Sequence, residues 1–288
     1  MFPNDASAAG LVQEMLSKLD GVRLCLGQEV SRLEGSAGNF RVGLGEEIEE
    51  VQAILVATGF KPFEAARKEE FGCGEFKDVI TSLELEEMLE RDIEVPSTGR
   101  PPERVALNHC VGSRDAKVGN LYCSRVCCTY SIHQAMEIRQ RLPRSRVTCF
   151  YMDIRTYGRG FEELYLRAQD ECGVQFVRGR IAEVHEDGGH LILRAEDTLS
   201  GQILRFPVDL LSLSVGMEPS EGARALGRML GIRTGPDGFF ETLDPQLHSN
   251  ESAVPGIFLA GTATGPKSIV DTITDARSAA AGLAAFLS

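Results

Sequence analysis

The sequence has fewer basic than acidic residues and no long apolar run. Its 288 residues contain 30 Lys and Arg against 42 Asp and Glu, a formal net charge of −12 at pH 7. A chain of this charge has no long-range field that attracts phosphate backbones or anionic lipid, so we expect no nucleic-acid partner. No segment approaches the roughly 18 apolar residues that a membrane-spanning helix needs, which predicts a protein without membrane insertion.

A secretory signal is also missing from the first ten residues, MFPNDASAAG, where no basic segment precedes an apolar one. We therefore expect a cytoplasmic protein, and disulfides are uncommon in that reducing compartment. The eight cysteines are spaced unevenly, and four of them fall between residues 110 and 128. Such crowding favours a bound metal over disulfide bridges.

The length and the pattern of elements predict an α/β fold with two domains. Strands and helices alternate between residues 105 and 178, as in a parallel, doubly wound sheet. Pro, Gly, Ser and Thr crowd residues 96–102, which indicates a linker. We predict a discontinuous dinucleotide-binding domain over residues 1–95 and 216–288, interrupted by a smaller α/β domain over residues 96–215.

Several local elements are predicted less directly. Apolar residues at helical spacing indicate a helix over residues 5–19 capped by Asp5, followed by a strand over residues 22–26. Phe239 and Phe240 indicate a short strand, and a longer helix is expected from about residue 121 to residue 142.

The crowded cysteines follow the pattern C-x12-C-x3-C-C, formed by Cys110, Cys123, Cys127 and Cys128. On the predicted helix, Cys123 and Cys127 share one face and Cys128 lies about 100° around the axis, while Cys110 approaches from a strand end. A cubane iron–sulfur cluster, with four irons that each take one thiolate, suits this arrangement. Zinc, a vicinal disulfide between Cys127 and Cys128, or buried structural thiols are the alternatives.

Two further segments each run an apolar strand into a glycine, which lets backbone approach a cofactor. They are I-L-V-A-T-G at residues 54–59 and G-I-F-L-A-G at residues 256–261. Both resemble segments of the flavoprotein superfamily that has two dinucleotide-binding domains and includes thioredoxin reductase.

Together with other motifs, these segments closely resemble the A subunit of heterodisulfide reductase. The motifs are C-V-G-S-R-D from Cys110, Y-C-S-R-V-C-C from Tyr122, Y-M-D-I-R-T-Y-G from Tyr151 and G-P-K from Gly265. The resemblance implies an oxidoreductase subunit of anaerobic metabolism that relays electrons between FAD and a [4Fe–4S] cluster within a multi-subunit complex. It implies that the four cysteines ligate the cluster, and it points to no catalytic side chain.

The resemblance also implies a set of residues that contact FAD. They are Ala57, Thr58, Gly59, Gly261, Thr262, Gly265, Pro266, Lys267, Ile269, Asp271 and Thr272. Lys267 is expected beside the isoalloxazine ring, and the alternative is a solvated loop lysine. Thr262 stands where related flavoproteins often have an Asp that holds the ribityl chain.

Two departures from the resembled proteins matter. No G-x-G-x-x-G turn precedes Ile54, so we expect an incomplete FAD site in a chain that is truncated or split at its N-terminus. In the resembled thioredoxin reductases the corresponding strand leads to a glycine-rich nicotinamide turn, whereas here it leads to residues 109–113, which predicts no NAD(P) site. The alternative function is a non-catalytic assembly or binding module that has lost FAD. An NAD(P)H-dependent disulfide reductase needs a C-x-x-C motif or a nicotinamide turn, and the sequence has neither.

Overall fold

The computed structural model describes residues 8–19 and 21–288. Its strands are β1 (Val30–Ser36), β2 (Asn39–Leu44), β3 (Glu47–Val51), β4 (Ile54–Val56), β5 (Phe60–Pro62), β6 (Val79–Thr81), β7 (Arg104–Val111), β8 (Arg146–Tyr151), β9 (Gln175–Arg178), β10 (Ile181–Asp187), β11 (His190–Asp197), β12 (Gln202–Val208), β13 (Leu210–Val215), β14 (Met217–Pro219) and β15 (Ile257–Leu259). Its helices are α1 (Ala8–Ser17), α2 (Ser82–Leu89), α3 (Cys127–Arg141), α4 (Phe161–Asp170), α5 (Ala223–Leu230) and α6 (Ile269–Leu287).

A parallel five-stranded sheet forms the centre of the molecule, in the order β6-β13-β7-β8-β9. The middle strands are apolar on both faces because both faces are covered. Val105 and Leu107 of β7 enter one core, which α2, α3 and α4 cover, while Ala106 enters the core on the other face. The second face is covered by the antiparallel meander β10-β11-β12, which contributes Leu191 and Leu193.

A second body of structure is built on the parallel pair β4 and β15. The antiparallel meander β1-β2-β3 and helix α5 pack against this pair through a third core, which includes Phe40 and Leu230. The carboxyl ends of β4 and β15 lie side by side, because the amide of Ala260 donates to the carbonyl of Val56 at 3.0 Å.

The antiparallel ribbon of β5 and β14 marks where the chain passes between these two parts. Met217 pairs with Pro62, and the amide of Phe63 donates to the carbonyl of Gly216 at 2.9 Å. Strand β6 already belongs to the central sheet, so the first crossing precedes residue 79. The pairing therefore favours an earlier first boundary than residue 95, and the division into domains stays a prediction.

Some local predictions were wrong. Residues 22–26 form no strand, and Phe240 makes only an isolated bridge to Thr234. The helix near the start is described from Ala8, and the Asp5 cap lies outside the described residues. No helix among residues 8–19 and 21–288 combines the length and apolar character needed to cross a bilayer.

Candidate functional site

Four cysteines lie where β7 ends and α3 begins. Cys110 is the second-last residue of β7, Cys123 lies in the following loop, and Cys127 and Cys128 open α3. Cys110, Cys127 and Cys128 are buried, and Cys123 is half-buried. Cys110, Cys123 and Cys128 all contribute to raising the pKa of the Cys127 thiol, so all three lie within electrostatic range of it. The carboxyl end of a parallel strand is where open α/β sheets place ligands.

Helix α3 begins later than the sequence predicts, and Cys123 is therefore not on it. Arg125 has a φ of 63°, a left-handed conformation that a right-handed helix cannot include. Ser124, just before it, is fully buried, and its hydroxyl accepts from the amide of Met217 at 2.9 Å. The four cysteines thus come from three segments, a strand end, a loop and a helix start, rather than from one helix face.

The backbone around the cysteines is strained in a way found nowhere else in the described chain. Cys110, Arg114 and Arg125 have φ values of 61°, 54° and 63°, and no other non-glycine residue described has a positive φ. Such conformations persist only where the surroundings fix them, and they cluster at functional sites. The structure therefore marks this loop, independently of its cysteines, as the candidate site.

The thiols differ in how readily they lose a proton. A hydrogen bond from Cys127 lowers the pKa of Cys110 to about 7, against the opposing effect of burial and with help from Arg114 and Arg180. The same hydrogen bond raises the pKa of Cys127 well above its usual value. Burial raises the pKa of Cys128 to about 11. The hydrogen bond between Cys110 and Cys127 and the nearby charges of Arg114 and Arg180 thus favour the thiolate at Cys110.

Backbone amides point at two of the sulfurs. The amide of Arg125 donates to Sγ of Cys123 at 3.3 Å, and that of Arg155 donates to Sγ of Cys128 at 3.4 Å. Arg114 donates to Asp153 at 2.7 Å through one guanidinium nitrogen, while its Nη1 is buried without a hydrogen-bond partner. Buried donors of this kind need an acceptor, and an anionic cluster would supply one.

The arrangement bears on the kind of metal group that fits. Within residues 8–19 and 21–288, no three or more His, Cys, Asp or Glu side chains are arranged to hold a metal ion. Tetrahedral zinc would need all four thiolates around one atom. A cubane cluster spreads its ligands over four irons. The donor chemistry fits such a cluster, and the ligand assignment stays a prediction.

The predicted flavin-contacting residues follow the two adjacent strand ends. Ala57, Thr58 and Gly59 follow β4, and Ala57 and Thr58 are exposed. After β15, a 3-10 turn spans Gly261–Thr264, and the loop from Gly265 leads to the start of α6. Thr262 is buried within this turn, so it is less available to a ligand than the exposed Ile269.

Similar sequences occur in heterodisulfide reductases. The A subunit of the H(2)/formate:CoB-CoM heterodisulfide,ferredoxin reductase of Methanococcus maripaludis is 46% identical over 243 residues, which cover 81% of this chain and 37% of the relative. The iron-sulfur A subunit of the CoB--CoM heterodisulfide reductase of Methanocaldococcus jannaschii is 46% identical over 248 residues, 83% of this chain and 38% of the relative. The chain is homologous to the heterodisulfide reductase A subunit. It spans little more than a third of the length of these relatives. No protein-family model matches it.

Solved structures show the fold of this A-subunit homologue. The thioredoxin reductase of T. acidophilum superposes with a TM-score of 0.61 at 15% identity, over 96% of this chain and 78% of that one. The enzyme of Lactococcus lactis gives a TM-score of 0.57 at 17% identity, over 90% and 74%. The predicted α/β fold of the thioredoxin reductase type is confirmed.

Lys267 in this A-subunit homologue is not the solvated loop lysine that was the alternative prediction. Its side chain is only 17% exposed, and its ammonium donates to the carbonyl of Gly261 at 2.9 Å and to the hydroxyl of Thr264. Burial lowers its pKa, although Asp275 at 3.7 Å opposes that effect. The Lys267 amine therefore stabilises the turn of Gly261–Thr264 through these hydrogen bonds. Its expected role beside the flavin ring stays a prediction.

Two residues that hold this turn were missed from the sequence. Asp275 accepts the amide of Gly261 at 2.6 Å through one oxygen and the amide group of Asn250 at 2.8 Å through the other. The turn and Lys267 also border a cavity of about 520 Å³ that Phe239 and Pro245 line as well. The only available signal was Asp275 in an otherwise alanine-rich helix, and it does not identify the bonded partner.

Proposed function

We propose that this chain holds a [4Fe–4S] cluster and one side of an FAD site, and that it relays electrons between them in a multi-subunit oxidoreductase. The observation that carries the proposal is that four cysteines from three segments lie at or beside one strained loop, together with Arg114, whose Nη1 is buried without a hydrogen-bond partner. Homology to the A subunit of heterodisulfide reductase supports it.

In this proposal Cys110, Cys123, Cys127 and Cys128 each ligate one iron. The backbone amides of Arg125 and Arg155 donate to two of the ligating sulfurs and so stabilise their negative charge. The half-buried guanidinium of Arg114 would offset more of that charge. When bound, FAD accepts electron pairs and the cluster accepts single electrons. The side chains of this chain position both groups and tune their potentials.

The FAD contacts are proposed along two strand ends. Ala57, Thr58 and Gly59 would meet FAD from the end of β4, and Gly261, Thr262, Gly265, Pro266 and Lys267 from the turn after β15. Ile269, Asp271 and Thr272 would contribute from the first turn of α6, whose N-terminal amides favour negative charge. We propose that other subunits, within the cytoplasm, supply the electron donor and acceptor and that nicotinamide takes no part.

Anaerobic reconstitution with iron and sulfide tests this function. We expect about four irons per chain and a broad visible absorption shoulder, both reduced in Cys127→Ala and Cys128→Ala. Cys25→Ala and Cys172→Ala, at cysteines outside the group, are the matched controls and should keep their iron. Full iron retention in both Cys127→Ala and Cys128→Ala would contradict the proposal.

The visible spectrum after addition of FAD separates the relay from its alternative. Flavin bands that stay with the protein through gel filtration, together with the iron–sulfur shoulder, support electron relay. The shoulder without retained flavin indicates an assembly module that has lost FAD.

A further inference from the structure

Arg125 connects the cysteine loop to the flavin-type part of the molecule. It lies between Cys123 and Cys127, and its amide donates to Sγ of Cys123. Its guanidinium reaches Oδ2 of Asp271 at 3.2 Å and the carbonyl of Pro266 at 3.4 Å. One residue thus contacts a proposed cluster ligand through its backbone and the proposed FAD loop through its side chain.

Asp271 is not an incidental surface carboxylate. It is the third residue of α6 and completes a capping box: its amide donates to the hydroxyl of Ser268 at 3.1 Å, and its Oδ2 accepts the amide of Ser268 at 3.4 Å. The oxygen that closes the capping box is the one that receives Arg125. The position of Arg125 is thereby linked to the start of α6.

Tyr157 completes the contact from a third segment. The guanidinium of Arg125 lies 5.2 Å from the centre of the Tyr157 ring and donates to its hydroxyl, which lies 3.4 Å from Oδ2 of Asp271. An exposed ion pair alone contributes little to stability. Here the backbone of Arg125 is left-handed, and the carboxylate of Asp271 is fixed by the helix cap. An aromatic ring also covers the guanidinium, so forming the ion pair costs little additional side-chain entropy.

We propose that Arg125 is a positioning residue that joins the Cys123 loop to the first turn of α6 and fixes the spacing between them. Its importance for electron transfer rests on the proposed function, because that spacing would separate the cluster from the flavin. The connection itself is a property of the cofactor-free chain and can be tested without either group.

Hydrogen exchange of the full, cofactor-free and reduced chain tests the connection, because each variant is read out in the segment that its partner residue occupies. Arg125→Gln should raise amide exchange at residues 268–272 by about three- to tenfold, although these lie far from it in sequence. Asp271→Asn should raise exchange by a similar factor in the loop of residues 121–126. The double variant should show no further increase in either segment, because both changes remove the same contact.

Arg155→Gln is the matched control, since the side chain of Arg155 pairs with Asp153 at 3.8 Å and not with α6. It should leave residues 268–272 unchanged. Arg125→Lys keeps the charge without the planar fork and should restore protection only in part. Local effects alone, with each single variant loosening only its own segment, would overturn the proposal. Those outcomes do not depend on iron binding, so failure of the cluster and failure of the connection are distinguishable.

Discussion

At the scale of single residues, the site depends on left-handed backbone conformations that the residue types do not predict. An arginine in a left-handed conformation is opposed by contact between its Cβ and the backbone, at a cost of about 1–2 kcal/mol. Arg114 adopts this conformation. One of its guanidinium nitrogens donates to Asp153, and another is buried without a hydrogen-bond partner. Backbone strain and side-chain function are thus combined in one position.

A pair of substitutions separates the cost of the left-handed backbone at Arg114 from the contribution of its guanidinium. Arg114→Gly and Arg114→Ala both remove the guanidinium, but only glycine adopts a φ of 54° freely. We expect Arg114→Gly to exceed Arg114→Ala in free energy of unfolding by about 1 kcal/mol, measured by urea denaturation of the cofactor-free chain. Equal stability of the two variants would show that the left-handed conformation is not retained.

The sequence identified the four cysteines but not how they are brought together. Their crowding is visible in the pattern, whereas the left-handed turn at Arg125 that ends the loop is not, because arginine is an ordinary helix former. The partners of Arg125 lie near residues 157 and 271. Contacts over such separations arise only once the fold is formed, so the role of Arg125 could not be predicted.

At the scale of elements, the end of β7 differs from a dinucleotide-binding turn. Gly112 has a φ of 75°, but the space in front of it is filled, since a Cβ there would lie 2.0 Å from the ring of Phe63. Phe63 is itself buried beneath the cysteine loop. The glycine accommodates an aromatic side chain here, which is consistent with the prediction that this turn receives no nicotinamide pyrophosphate.

Titration with NADH or NADPH tests the consequence. We expect no saturable change in protein fluorescence or in the heat of mixing on addition of either nucleotide to the isolated chain, since the turn that would receive the pyrophosphate is packed against Phe63. AMP serves as a control for the adenine half alone. Saturation at micromolar nucleotide would contradict this prediction.

Most regular elements were predicted because their apolar patterns are strong. Strands such as β7, β8 and β13 are nearly continuous apolar runs, as central parallel strands must be. Residues 22–26 carry a similar pattern, but no neighbouring strand pairs with them in the described chain, and Val22 and Leu24 are each 54% exposed. Pattern alone does not supply the partner that a strand requires.

At the scale of the whole molecule, the two central strands are joined at their starts by one carboxylate. Asp209, before β13, accepts from the guanidinium of Arg104 at 2.8 Å and from the amides of Glu103 and Arg104 at the start of β7. Burial alone would raise the pKa of Asp209, but these hydrogen bonds and the charge of Arg104 outweigh it, and the pKa lies below its usual value. Ionised Asp209 is therefore favoured by folding.

The free energy of unfolding should depend on the ionisation of Asp209 as pH changes. A carboxyl whose pKa is lowered by folding stabilises the native state above its unfolded pKa of about 4, and the contribution is lost as pH falls through the lower folded value. We expect Asp209→Asn to lower the free energy of unfolding at pH 7 by about 1 kcal/mol. Urea midpoints of the two proteins should converge as pH decreases below 4, whereas a constant difference would contradict the assignment.

The overall architecture was predictable, and the place where its parts join was not. Alternating elements and two strand–glycine motifs indicated the dinucleotide-binding fold. The pairing of β6 with β13, whose partners Ile80 and Ser212 are distant in sequence, places residues 79–89 with the central sheet. Linker composition at residues 96–102 gave no indication of that pairing, because it reports local flexibility and not which sheet a strand enters.

The ribbon of β5 and β14 has a consequence for engineering. Its pairing brings residue 62 beside residue 217, so the inserted segment leaves and rejoins the rest of the chain within one strand spacing, about 5 Å. Two ends so close can be joined by a short turn. We therefore expect that residues 63–216 can be circularly permuted or grafted between adjacent strands of another scaffold, and that a single hairpin can close the remaining chain.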